Sequence, residues 1–201
     1  MNKLYLDIET IPAPESAHKD LEKLFKKKKK KGEYEDFEQY LSRTSFDGTF
    51  GQIICIAYAS NDNPVEVLYN ENNEALTLRQ FWELARDHDL FIGHNVMEFD
   101  LKFIYQRSTI LRVRPTKDLN FARYRNNPIF DTMKEWVRWG SNNLSLEYIA
   151  TALGIPSPKD ELDGSQVFTY YKKGKIKEIL KYCKKDVEVT REVYKRMVFE
   201  E

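Results

Sequence analysis

Two cysteines among 201 residues, Cys55 in an apolar run and Cys183 in a helical pattern, leave no framework of disulfides to staple the fold. A reduced, cytoplasmic setting is the expectation. Long apolar runs are also missing: none approaches the roughly 20 residues that a bilayer-spanning helix needs. The first residues, Met1-Asn2-Lys3-Leu4-Tyr5-Leu6-Asp7, reach an acid too soon for a signal-peptide core. No repeat recurs at a fixed period. Net charge is absent as well, with 32 basic and 32 acidic side chains, which disfavours an evenly basic coat. What is present, 41% hydrophobic and 32% charged residues, suits a folded chain with a charged surface. The length fits a single domain.

The hydrophobic pattern alternates between strand and helix. Leu4 to Glu9 reads as a first strand. Residues 12 to 50 break from that pattern: Leu21, Leu24 and Phe25 have helical spacing, Lys26 to Lys31 form an unbroken lysine run, and Tyr34, Phe37 and Leu41 resume the helical spacing. This is expected to be a helical insertion, with the lysine run a solvated link between short helices. Gln52 to Ser60 reads as a strand buried on both faces, with Val65 to Tyr69 as its hairpin partner. Helices are expected over 75–87, 97–111, 145–153 and 176–198, and short strands at 90–93 and 129–130. The expected fold class is α/β, a mixed sheet covered by helices.

Three acidic motifs follow in order. In Asp7-Ile8-Glu9, strand alternation sends both carboxylates to one face, where they repel unless a cation lies between them; oxygen ligands suit Mg²⁺ or Mn²⁺. A solvated strand end is the plainer reading of that motif alone. In Gly93-His94-Asn95-Val96-Met97-Glu98-Phe99-Asp100, Asn95 with Glu98 has the spacing of a capping box, and Phe99 with Phe103 that of a packed pair. Asp100 could simply favour a helix start, and His94 reads as a hydrogen-bonded loop residue outside any site. In Tyr182-Cys183-Lys184-Lys185-Asp186, the tyrosine and the aspartate share one stripe of a helix, next to its apolar face. An intrahelical lysine would satisfy Asp186 as well as a metal would.

Taken together, the order and spacing resemble the DnaQ-like 3′–5′ exonucleases of the ribonuclease H-like superfamily, in the form with a tyrosine four residues before the last aspartate (DEDDy). The chain is similar to the exonuclease domain of family B DNA polymerases in stand-alone form; Asp163-Gly164-Ser165-Gln166-Val167 adds to the resemblance less specifically. The resemblance implies a ribonuclease H-like fold and two divalent cations, Mg²⁺ or Mn²⁺, held by Asp7, Glu9, Asp100 and Asp186. Asp7 would bridge both ions, Glu9 and Asp186 would complete one site, and Asp100 would support the other. Tyr182 would orient the attacking water; its ordinary pKa near ~10 makes it a poor proton acceptor. Thr10, Asn95 and Phe99 would contact the terminal nucleotide, although a turn residue, a cap and a core ring are equally good readings of them. The implied substrate is the 3′ end of single-stranded DNA or RNA, DNA slightly preferred. An RNA-trimming exoribonuclease and a non-catalytic nucleic-acid-binding module are the alternatives. With no polymerase region in sight, any proofreading would act in trans.

Charge by segment supports a polyanionic partner. Residues 102–125 carry seven basic side chains and one acid, as do residues 172–185, whereas residues 61–101 carry nine acids against Arg79 and Arg86. Tyr105, Phe121 and Tyr124 interleave with arginines, a pattern suited to single strands whose phosphates meet cations and whose bases stack. Ordinary solvated helix faces explain each segment equally well.

Overall fold

A computed structural model describes residues 1–29, 33–156 and 162–200. Five strands form one sheet: β1 (Lys3–Ile11), β2 (Gln52–Ser60), β3 (Glu66–Tyr69), β4 (Leu90–Gly93) and β5 (Ile129–Asp131). Their order is β3-β2-β1-β4-β5. β2 runs antiparallel to both β1 and β3, while β4 runs parallel to β1 and to β5. The hairpin β2–β3 needs only a tight turn, which Asn61 supplies at φ 54°. The parallel pairs require crossovers, and helices provide them.

Alternation along β1 builds two cores. Leu4, Leu6 and Ile8 face a layer that holds Leu78, Phe81 and Trp82 of α3 (Glu74–Ala85) and Leu101, Phe103 and Ile104 of α4 (Asp100–Ile110). Tyr5 faces the opposite layer with Ile179, Cys183, Val187 and Tyr194 of α8 (Ile176–Met197). Strand parity therefore sends Asp7 and Glu9 toward α8. The apolar stripe of that 22-residue helix is continuous, as its spacing foretold.

Between β1 and β2 the chain leaves the sheet as α1 (His18–Lys29) and α2 (Phe37–Arg43), which close a small core of Ala13, Leu21, Phe25 and Tyr40. Lys26 to Lys29 are not a link but the last turn of α1, where cations favour the helix dipole. Lys30 and Lys31 lie outside the described residues. Thr44 ties this excursion to the sheet by accepting the Ala13 N–H at 2.9 Å.

Two boundaries differ from expectation in ways that matter for the site. β1 runs on to Ile11, so motif one is not a strand end; a register shift between Glu9 and Thr10 follows the acids instead. Helix α4 starts at Asp100, not near Met97, because residues 95–99 form turns with Asn95 at φ 59°. No capping box forms there. Three shorter helices complete the chain: α5 (Thr132–Trp136), α6 (Leu146–Ala152) and α7 (Val167–Lys172).

Candidate active site

Three elements converge on one point. β1 contributes Asp7 and Glu9, the start of α4 contributes Asp100, and α8 contributes Tyr182 and Asp186. Asp100 is buried, and its Oδ1 accepts the Ile8 N–H at 3.0 Å, which fixes motif two against motif one. Glu9 is buried, and Asp7 keeps partial exposure.

The electrostatics show how close these groups are. Burial raises the Asp7 pKa well above the carboxylate range, and the charges of Asp100, Asp186 and Glu9 add to that. Glu9 is likewise raised, by burial first and then by Cys55, Asp186 and Asp100. Asp100 is pushed up to about 7 by burial, with Asp131 and Asp186 adding and backbone hydrogen bonds, including the one from Ile8, opposing. Among the described residues, no lysine or arginine forms an ion pair with Asp7, Glu9 or Asp100. Acids that raise one another's proton affinity in this way form a cluster that a bound cation would relieve.

The donor set fits a hard divalent cation. Carboxylate oxygens of Asp7 and Glu9 and the Sγ of Cys183 all lie within 4.8 Å of one another. The Cys183 thiol donates to Asp7 Oδ2 at 3.4 Å, and burial raises its pKa well above the usual thiol value. A protonated thiol orients Asp7 and is a poor ligand, which leaves the carboxylate oxygens as the donors, a set suited to a hard cation.

Tyr182 sits one helical turn from Asp186, half-buried. Burial raises its pKa first, followed by the charges of Asp186, Glu9 and Asp7, and its hydroxyl donates to the Asp186 carboxylate. It is a neutral phenol at every ordinary pH.

The remaining candidates are less engaged. The Thr10 hydroxyl donates to the Ser45 carbonyl at 2.7 Å, joining the strand to the helical excursion. Asn95 holds its strained turn with its N–H on Asp131 Oδ1 at 3.0 Å. Phe99 packs edge-on against Phe103 with centroids 5.8 Å apart, so one face of its ring belongs to the core. His94, set aside from the sequence, is bound in the loop: Nε2 donates to Leu144 O at 2.8 Å, and Nδ1 lies 3.0 Å from Thr132 Oγ1.

Sequence reasoning missed Asp131. This buried residue ends β5, caps α5 and accepts N–H groups from Asn95, Met97, Met133 and Lys134 at 3.0–3.2 Å. It therefore holds the motif-two turn in shape. An aspartate between a strand and a helix start was the available signal. The contact of Cys183 with Asp7 had no such signal, since it joins residues far apart in the chain.

The sheet order, its single antiparallel hairpin and its flanking helices define a ribonuclease H-like domain with an acidic centre. Residues 46–201 match a family described as predicted 3′-5′ exonucleases related to the exonuclease domain of PolB, and the chain belongs to that family. Asp7, Glu9 and Thr10 precede the matched residues. No curated protein matches the sequence. The structure resembles the family B DNA polymerase from the hyperthermophilic archaeon Pyrobaculum calidifontis, with TM-score 0.69 and 16% identity over 98% of this chain and 24% of that one. The chain thus spans about a quarter of that polymerase, and the likeness is one of fold.

Proposed function

We propose that this exonuclease removes nucleotides from the 3′ end of single-stranded nucleic acid, DNA in preference to RNA, with two divalent cations, Mg²⁺ or Mn²⁺, held by Asp7, Glu9, Asp100 and Asp186. The observation that carries this reading is the convergence of four carboxylates beside β1, each of the first three raised in pKa by burial and by its acidic neighbours. The preference for DNA rests on the family's relation to the exonuclease domain of a DNA polymerase.

Cations bound there would supply neutralisation of the phosphodiester charge and activation of water. The protein's own part is placement. The Ile8 N–H holds Asp100 so that motifs one and two face the same volume. Cys183 holds Asp7 by its thiol. The Tyr182 hydroxyl stays protonated, so it serves as a hydrogen-bond partner that orients water or phosphate rather than as a base. Asn95 and Phe99, at the turn before Asp100, line the approach of the terminal nucleotide, and Thr10 lines it from β1.

The decisive experiment is digestion of matched single-stranded DNA and RNA labelled at the 5′ end, with Mg²⁺, Mn²⁺ or EDTA. The expected result is a ladder shortening from the 3′ end only with metal, faster on DNA, and lost in Asp7→Ala. Intact substrate with both metals, or cleavage that survives in Asp7→Ala, would overturn the proposal.

A further inference from the structure

We propose that Tyr124 and Trp139, flanked by Arg123, Arg125 and Arg138, form a stacking platform that binds single-stranded nucleic acid several nucleotides upstream of the 3′ end. The inference rests on the exonuclease reading for its position along the strand, but the binding surface stands on its own geometry.

Large aromatic rings are normally buried, yet Tyr124 is 75% exposed. Its ring lies on Trp139, with centroids 5.3 Å apart and planes 43° from parallel. Trp139 is half-buried against the core layer of α3 and α4, and its indole N–H donates to Glu135 Oε1 at 3.1 Å. One ring is thus anchored in the protein and the other is carried on it with a face open to solvent. This is the arrangement that a nucleobase needs for sequence-tolerant stacking.

The backbone maintains this arrangement against its own preference. Tyr124, Arg138 and Trp139 have φ of 62°, 49° and 62°, in the left-handed region that bulky L residues avoid. After α5, the turn is closed by Trp139 N–H on Lys134 O at 2.9 Å and Arg138 N–H on Glu135 O at 3.3 Å. Two consecutive left-handed residues with large side chains, where glycine would be relaxed, mark a conformation kept for what it presents.

Charge and position point to the occupant. The Arg123, Arg125 and Arg138 side chains are exposed around the ring pair. The neighbouring acids are Glu98, 3.3 Å from Arg123, and Glu135, 3.9 Å from Arg138. Arg125, among the described residues, makes no ion pair. A polyanion with stackable bases satisfies both the cations and the rings; an apolar partner would leave the Arg125 guanidinium without a counter-charge. The Arg123–Glu98 contact joins the platform to the turn that leads into Asp100, and a cleft of about 370 Å³ lined by Met97, Glu98, Lys102, Phe121 and Arg123 lies along that join. A strand whose 3′ end sits at the acids can follow this cleft to Tyr124.

The test measures binding of a 5′-fluorescein oligothymidylate, as trinucleotide and as dodecanucleotide, to the full chain in EDTA. Tyr124→Ala should weaken dodecanucleotide binding about tenfold and leave trinucleotide binding unchanged, while Tyr124→Phe should bind both as wild type does. Arg125→Ala should reduce the slope of log affinity against log salt by about 0.7. Tyr124→Ala binding the dodecanucleotide as tightly as wild type, or losing both lengths equally, would overturn the platform. Adding Mn²⁺ separates the two proposals. If the dodecanucleotide binds through Tyr124 but is never shortened, the exonuclease reading fails and the platform stands. If it is shortened with the same KM in Tyr124→Ala, the platform fails and the nuclease stands.

Discussion

The backbone N–H of Ile8 donates to Asp100 Oδ1 at 3.0 Å, so the acid of motif two is bound to the residue that separates the two acids of motif one. Burial, and after it the charges of Asp131 and Asp186, raise the proton affinity of this carboxylate, and the backbone hydrogen bonds oppose them.

Asp100→Asn should therefore separate stability from activity. Asparagine keeps a carbonyl oxygen for the Ile8 N–H and removes a buried negative charge. Metal-dependent trimming is expected to fall by two orders of magnitude or more. The metal-free protein is expected to melt higher near pH 8 by a few degrees, about 2–4 °C for each kcal/mol gained in a chain of this size. A calorimetric scan with EDTA and a timed digestion with Mn²⁺ give the two readings; a lower melting point would refute the role given to this charge.

The pH dependence has a definite sign. A carboxyl whose folded pKa exceeds its unfolded value of about 3.9 stabilises the fold fully below that value and loses this contribution as pH rises through the folded one. Asp100, at about 7, sets the window, and the raised Asp7 and Glu9 act in the same direction. In EDTA, urea stability should fall between about pH 4 and about pH 7. Mn²⁺ should flatten or reverse that fall by binding the ionised acids. A metal-free protein that grows more stable over this range would contradict the assigned shifts.

Asp131 offers a test of positioning. Asp131→Ala leaves the N–H groups of Met97 and Met133 buried without their acceptor and is expected to cost about 3 kcal/mol, from about 1–3 for each orphaned group. Asp131→Asn should cost less, because one oxygen still serves Asn95, Met133 and Lys134 while its amide opposes the Met97 N–H. Urea denaturation measures both. In Asp131→Asn the trimming rate should also drop, since the turn before Asp100 loosens; full activity in that variant would confine Asp131 to stability.

Tyr182→Phe removes a hydroxyl that donates to Asp186 and never ionises in the working range. The expected result is slower turnover, about 10- to 100-fold, by the usual size of a single lost positioning or proton-transfer contact. The thermal shift produced by Mn²⁺ should persist, because the carboxylates remain. A variant with wild-type turnover would take Tyr182 out of the mechanism.

Much of this was legible before any coordinates. Strand alternation put Asp7 and Glu9 on one face, the turn of a helix put Tyr182 and Asp186 on one stripe, and the order of the motifs pointed to the family. Local periodicity sets these relations, and local chemistry expresses them in any context. Helix α4 starts later than its pattern predicts because Asn95 and Glu98 mimic a cap, while the actual turn is held by Asp131, 36 residues from Asn95. The lysine run looked like a link because its composition is solvated, yet Lys26 to Lys29 complete a helix anchored by Leu21 and Phe25.

The sequence by itself determined which acids share a strand face or a helix stripe and the element that carries each one, since those depend on spacing along the chain. Only the tertiary structure decided what each acid leans on: Ile8 for Asp100, Cys183 for Asp7, Asp131 for the motif-two turn. Only the fold, likewise, brought Tyr124 onto Trp139. Hydrogen bonds, pKa values and ring stacking depend on distances between residues that the chain separates widely, and those distances exist only after packing closes the two core layers on the sheet.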